Sequence, residues 1–139
     1  MTADKVWHGL LNRLQAAEKD ISAARGSFTL FVLVERDEAP GKWDLLVSAP
    51  WLASGRHGIQ DMVDRLQQYL MPPDWLQLAS ITPLLPAMEY VRWIGQRYDV
   101  QHDRQEVVNV FWDGVFIPHG YVITANPAPA IAIQHPIAA

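Results

Sequence analysis

Residues 54–58 read Ser-Gly-Arg-His-Gly and lie between a predicted strand and a predicted helix. Free backbone N–H groups and the positive end of a helix dipole attract an anion at such a place, and a guanidinium adds a charge-assisted fork. The spacing lacks the lysine and the glycines of a phosphate-binding loop, so a capped helix start with solvent-facing side chains is the simpler interpretation. A small-molecule or anion site here would use Trp51, Ser54, Gly55, Arg56 and His57.

A histidine and two carboxylates share one face of that same predicted helix. His57, Asp61 and Asp64 are four and then three residues apart, a spacing that could hold a divalent metal ion. Their face lies opposite the apolar stripe that includes Ile59 and Met62, so it points to water when the stripe is buried. We therefore predict a solvated face and no metal site.

A polar connector at residues 99–106 places His102 among Asp99, Asp103 and Glu106. A histidine between carboxylates can act as a general base or as a ligand. Catalysis also needs a nucleophile or an oxyanion donor, and the sequence offers neither nearby. A solvated polar loop is the prediction for this segment.

One further histidine, His119, lies between Pro118 and Gly120. Turn chemistry explains the proline and the glycine and leaves the histidine unexplained. None of these four groups of residues brings an acid, a base and a nucleophile together. It predicts no catalytic residue, no metal and no cofactor.

Six tryptophans are unusually many for 139 residues. Large aromatic residues fill cores and are also enriched at recognition surfaces. Trp7 and Trp43 fit predicted apolar faces and belong to the core. Trp93 lies off the apolar stripe of its helix, which predicts partial exposure or an interface, and Trp51 and Trp75 follow predicted strand-loop junctions where they could wall a cleft.

The elements that position these residues are predicted in the order α-β-β-α-β-α-β-β. Residues 4–24 predict the first helix, because Trp7, Leu14 and Ile21 belong to one apolar stripe. Glu18 and the other charged residues are placed elsewhere on its circumference. Gly26 follows, where a helix C-terminus favours a residue that tolerates positive φ.

A predicted antiparallel hairpin follows the first helix. Residues 28–34 are apolar on both faces, as in a central strand, and residues 43–49 alternate as in a half-buried strand. Residues 36–41 form the predicted turn, since Pro40 donates no ladder hydrogen bond and Gly41 readily takes positive φ.

The middle of the chain predicts two more helices around a short strand. Pro72 and Pro73 end the second helix, and residues 75–81 alternate loosely as a third strand. Pro83 and Pro86 suit the start of the third helix.

A second hairpin is predicted near the C-terminus. Residues 107–112 and 115–117 are apolar runs around an Asp113-Gly114 turn, a strong two-residue turn signal, and residues 121–124 extend or restart the second strand. Hairpins with flanking helices indicate an α+β fold. We expect one domain over residues 1–125, with an antiparallel or mixed sheet of about five strands and three helices.

Composition limits the class of partner and compartment. A net charge of −4 with scattered Lys and Arg argues against nucleic acid, which requires a basic stripe. The absence of cysteine removes disulfide frameworks, thiolate zinc sites and cysteine nucleophiles. No run resembles a signal peptide or a membrane span, so we predict a cytoplasmic protein that binds no membrane.

Residues 126–139 form an uncharged arm rich in Pro, Ala and Ile. Its prolines favour an extended backbone, on which Ile131, Ile133 and Ile137 share one side. A frayed terminus and an arm that lies along a sheet edge or a groove are the two interpretations.

These features predict a non-enzymatic interaction or scaffold domain that self-associates as a homodimer, with a second protein partner left open. The C-terminal third has only Glu106 and Asp113 as charged residues after Arg104, which indicates surface that another molecule covers. The predicted interface residues are Trp93, Ile131, Ile133 and Ile137. The alternative function is the anion or small-molecule site at residues 54–58.

Overall fold

The computed structural model describes residues 2–52 and 56–126, and the side chains of the first helix from residue 9 onward. Within these residues the chain forms four helices and five strands, in an order that matches the predicted one except for one additional helix. The elements are α1 (Thr2–Arg25), β1 (Leu30–Arg36), β2 (Ala39–Ser48), α2 (Arg56–Gln67), α3 (Pro72–Gln77), β3 (Leu78–Pro83), α4 (Glu89–Arg97), β4 (Gln105–Trp112) and β5 (Val115–Ala125).

The described strands form one mixed sheet in the order β3-β2-β1-β5-β4. β1 is the central strand and pairs antiparallel with both β2 and β5, as its apolar faces predict. β4 pairs antiparallel with β5, whereas β3 lies parallel to β2 after a crossover through α2 and α3. The predicted α+β class with an antiparallel or mixed sheet is confirmed.

One face of the sheet, called here the covered face, is packed by α1, α2 and α3. The stripe of α1 contributes Leu14 and Ile21, and the alternation of β2 places Trp43, Leu45 and Val47 on the same side. All five side chains are buried. Fully burying one Leu, Ile or Val side chain contributes about 1.5–3 kcal/mol before entropy costs. This core contains more buried residues than the one on the opposite face, so it is the larger of the two.

The opposite face carries a smaller core beneath α4. Val91 and Ile94 of α4 pack on Val32, Val122 and neighbouring residues of the sheet. Trp112 of β4 is also buried there, and its indole Nε1 donates a hydrogen bond to the Tyr98 hydroxyl at 3.0 Å. Both faces of β1 are therefore covered.

The helix that was not predicted is α3. It begins at the two prolines that were expected to end the second helix. Pro72 and Pro73 occupy the first turn of α3, where a missing N–H costs nothing. The Asp74 carboxylate accepts a hydrogen bond from the Met71 N–H at 2.7 Å and fixes that turn. The predicted strand at residues 75–81 is therefore displaced to β3, and Trp75 lies in a helix.

Three other boundaries differ from prediction. The first hairpin turns at residues 37–38, and Pro40, Gly41 and Lys42 bulge from β2 instead of forming the turn, because Arg36 pairs Ala39 while Glu35 pairs Trp43. α4 starts at Glu89, after turns that follow the prolines. β5 runs unbroken through Pro118, since that position lies beyond its pairing with β1.

Candidate functional site

The β4–β5 hairpin presents large apolar side chains to solvent. Phe111 is 63% exposed, Val108 55%, Val115 50% and Phe116 39%. All four lie in paired strands next to a turn in which Asp113 and Gly114 both take positive φ, as a type I′ turn requires. Their exposure therefore accompanies regular local structure.

Three of these residues form one surface, called here the hairpin surface: Val108, Phe111 and Phe116. Phe111 and Phe116 are cross-strand partners whose ring centroids lie 5.2 Å apart. Val108 is opposite His119, whose ring contacts Trp43 of the covered face. The hairpin surface is therefore an outer continuation of the covered face, left open by α1, α2 and α3.

Strand geometry separates these residues from the buried ones beside them. Val110, Trp112 and Ile117 pack in the core beneath α4, so alternation sends Phe111 and Phe116 to the opposite side. Asn109 has a φ of 51°, and it and Pro118, which lie opposite each other, are missing from the ladder, although the register is the same on both sides of them. This irregularity changes the alternation of β4, so that Val108 and Phe111 lie on one side while Val107 and Val110 pack in the core beneath α4.

A polar cluster borders the hairpin surface. His119 lies between two carboxylates, with Nε2 2.7 Å from Glu106 Oε2 and Nδ1 3.5 Å from Glu35 Oε1. The Tyr121 hydroxyl donates to the same Glu106 oxygen at 3.3 Å. Burial, followed by the Glu106 charge and hydrogen bond, raises the pKa of Tyr121 to about 12.

His119, unexplained by the sequence, thus joins three strands. Its two ring nitrogens face carboxylate oxygens of Glu106 on β4 and Glu35 on β1. The cluster contains the imidazole of His119 and two carboxylates, but these groups are paired with one another. It serves as a polar rim beside the apolar hairpin surface, a combination that resembles the rim and core of an interface.

A second histidine cluster lies where the polar connector meets α1. The Glu18 side chain is fully buried, 2.8 Å from His102 Nδ1, and accepts hydrogen bonds from Thr124 at 2.7 Å and Ser22 at 3.1 Å. The His102 N–H donates to Thr124 Oγ1 at 3.1 Å, which holds the residue at a φ of 53°. This network ties α1, the connector and β5 together.

The predicted group of Asp99, His102, Asp103 and Glu106 is therefore divided. His102 pairs with Glu18 and Glu106 pairs with His119, on separate sides of the connector. Glu18 was expected on the solvated side of α1, and this expectation is wrong. Its position between Leu14 and Ile21 lies on the apolar stripe, a signal that the sequence did contain.

A second buried carboxylate, Asp74, holds α3 against α1. The Arg13 guanidinium donates a fork to Asp74, with Nε to Oδ2 at 2.6 Å and Nη2 to Oδ1 at 2.8 Å. Burial alone would raise the pKa of the Asp74 carboxyl, but the Arg13 and Met71 hydrogen bonds outweigh it and place that pKa below its ordinary value. No local motif in the sequence indicates this pair.

The predicted anion site at residues 54–58 falls partly outside the described residues, which exclude Ser54 and Gly55. Arg56 and His57 are exposed in the first turn of α2. Trp51 donates its indole N–H to the Gly26 carbonyl at 3.0 Å and lies beneath the Arg25 guanidinium at 5.1 Å. Its contacts are those of a packing residue, and the site remains a prediction.

The predicted solvated face of α2 is built from ordinary surface contacts. Asp61 bonds Arg65 at 2.8 Å, Asp64 accepts from Gln60 at 3.0 Å, and His57 is exposed. Among the described residues no group of three or more His, Asp or Glu side chains is placed to hold a metal ion.

Two shallow clefts lie away from residues 54–58 and from the polar connector. One, of about 340 Å³, separates α1 from α2 and is lined by Asp20, Arg65 and Tyr69. The other, of about 270 Å³, lies on α4 beside Trp93. Neither cleft brings together an acid, a base and a nucleophile.

The predicted interface residues are only partly described. Trp93 is half-buried against the core beneath α4, and the Arg97 guanidinium lies 3.9 Å over its ring. Ile131, Ile133 and Ile137 lie outside the described residues. Trp75, expected to wall a cleft, instead packs from α3 against the core of the covered face.

These features define the class of the protein as an α+β domain with a five-stranded mixed sheet in its described residues and an apolar hairpin surface. Comparisons with family models, with curated proteins and with solved structures find no match. Over the described residues, every helix is too short or too polar to cross a membrane.

Proposed function

We propose that the protein is a non-enzymatic interaction domain that self-associates through the hairpin surface. The observation that carries this proposal is the exposure of Phe111 and Phe116 in a regular hairpin. Clustered apolar side chains with a polar rim are typical of protein interaction sites, and aromatic anchors dominate their binding energy.

A second copy is the simplest partner for such a surface. Two-fold dimers are the commonest assemblies, and their contacts use the same patch on both subunits. The hairpin surface supports that geometry because its centre is apolar, while the charged residues Glu106 and Glu35 lie to one side. Two copies can therefore associate through this surface without burying unpaired charges.

Sedimentation of the full chain at micromolar concentrations tests the proposal. We expect the parent protein to sediment at twice the 15.7 kDa monomer mass. Phe111→Lys places a charge in the contact and should weaken association by about 100-fold, since each tenfold change corresponds to about 1.4 kcal/mol.

The matched control is Leu76→Lys, because Leu76 is 72% exposed on α3, outside the hairpin. This variant should remain dimeric. A parent protein that is monomeric at all concentrations contradicts the proposal, and dissociation by Leu76→Lys alone would move the contact to α3.

A further inference from the structure

Residues 127–139 combine apolar chemistry with a defined point of departure. They contain no Asp, Glu, Lys or Arg, and Ile131, Ile133 and Ile137 fall on one side of an extended chain. The chain enters this segment at Asn126, whose N–H donates to the Thr29 carbonyl at 3.0 Å. That anchor lies at the end of β5 opposite the hairpin turn.

We infer that this segment of one copy binds the hairpin surface of a second copy, which deepens the self-association proposed above and rests on it. The three isoleucines would cover Val108, Phe111 and Phe116. Extended proline-containing segments suit aromatic surfaces, because their backbone is already ordered and loses little entropy on binding.

The length of the segment favours a second copy over its own subunit. Phe116 lies nine residues back along β5 from Ala125, a distance of about 30 Å. Even with the chain fully extended, Ile131 and Ile133 reach about 20–22 and 26–29 Å beyond Ala125, which is far enough for Val108, opposite His119, but short of Phe116. Ile137 alone has the length to reach Phe116 within the same subunit.

The direct path within one subunit is also occupied. On the covered face, Glu18 of α1 bonds Thr124 of β5, and Arg104 bonds Gln15 a little further along. On the other face α4 packs against the sheet. A segment returning to its own hairpin surface must detour around β4, whereas a segment from a second copy meets no such obstacle.

Disulfide trapping tests this arrangement, because the chain contains no cysteine and each introduced thiol is unique. One full-length chain carries Ile133→Cys and a second carries Val108→Cys, a substitution close to the original volume at a 55% exposed position. The two chains are mixed at micromolar concentration under mild oxidation. The control mixture pairs Ile133→Cys with Leu76→Cys, and the parent protein is sedimented in parallel.

We expect the mixed disulfide to form on the order of 100-fold faster than in the control, because a bound segment raises the effective thiol concentration from micromolar toward millimolar. The full-length Ile131→Ser/Ile133→Ser/Ile137→Ser variant should dimerise at least about tenfold more weakly.

Three results would overturn the inference in distinguishable ways. A disulfide that forms only within a single chain carrying both Ile133→Cys and Val108→Cys assigns the segment to its own subunit. A parent dimer whose mixed disulfide forms no faster than the control removes the segment from the contact and leaves the proposed function standing. A monomeric parent overturns both.

Discussion

The covered face and the hairpin surface belong to one sheet but differ in how far their side chains are enclosed. Under α1, α2 and α3, the buried carboxylates Glu18 and Asp74 are supplied with hydrogen-bond donors, and the apolar residues are enclosed. At the hairpin, Phe111 and Phe116 face water although their backbone is fully ordered in a ladder. The requirements of folding explain the first region, and the self-association proposed above would account for the second.

The sharpest test of the difference between enclosed side chains and the hairpin surface uses two neighbouring residues of β4, one in the core beneath α4 and one on the hairpin surface. Trp112 is 1% exposed and Phe111 is 63% exposed. Trp112→Ala should lower the free energy of unfolding by about 3–5 kcal/mol, because it leaves a cavity beneath α4 and removes the bond to Tyr98. Phe111→Ala should cost below about 1 kcal/mol. Urea denaturation of both variants, at protein concentrations too low for dimerisation, measures the two free energies of unfolding. Equal losses would show that the buried and the exposed residue contribute equally to stability.

A smaller effect is expected at the contact between α1 and α3. Asp74→Asn removes the buried partner of Arg13 and should destabilise the protein by about 3 kcal/mol at neutral pH. The folded-state pKa of Asp74 is lowered, so its stabilisation is present above the unfolded-state pKa and is lost as the pH falls through the folded-state pKa. The gap between parent and variant should therefore narrow below about pH 4.

Thermal melts of the two proteins from neutral to acidic pH measure this dependence. Asp64→Asn provides the control, because Asp64 is exposed on α2 and should change stability by less than about 0.5 kcal/mol. A gap between parent and Asp74→Asn that stays constant into acid would mean that the charge of Asp74 contributes nothing.

The smallest of the three effects is expected at Glu18→Gln. The amide keeps one acceptor oxygen for Thr124 and Ser22 and can donate to the imidazole of His102 in its other tautomer. A loss of about 1–2 kcal/mol should result, since the hydrogen bonds survive in weaker, uncharged form. Chemical denaturation measures it against exposed Glu89→Gln; a loss as large as that of Trp112→Ala would show that the network tolerates no neutral substitute.

Local pattern was sufficient for much of the fold. The alternation of Trp43, Leu45 and Val47 identified the buried face of β2, and the Asp113-Gly114 dipeptide identified the second turn, because both signals act over a few residues. The start of α3 was missed, since a pair of prolines suits the end of one helix and the first turn of the next equally well. No local pattern in the sequence indicates that β3 lies parallel to β2.

The polar clusters join residues that are far apart in the sequence, so most of these contacts could not be predicted from local patterns. His102 meets Glu18 across 84 positions of sequence, and Arg13 meets Asp74 across 61. The apolar excess of the C-terminal third did predict surface for a partner, which remains a proposal. What the sequence did not locate is the exposed side of the hairpin, since the positive φ of Asn109 accompanies a change in the alternation of β4.

The central position of β1 has a consequence for synthesis of the chain. Its partner β2 follows at once, whereas its other partner, β5, ends at Ala125. At translation rates of about 5–20 residues per second, about 4–15 s separate the completion of β2 from that of β5. Throughout this interval β1 has no strand to pair with along its second edge, and an unpaired apolar edge is a site of aggregation in nascent chains.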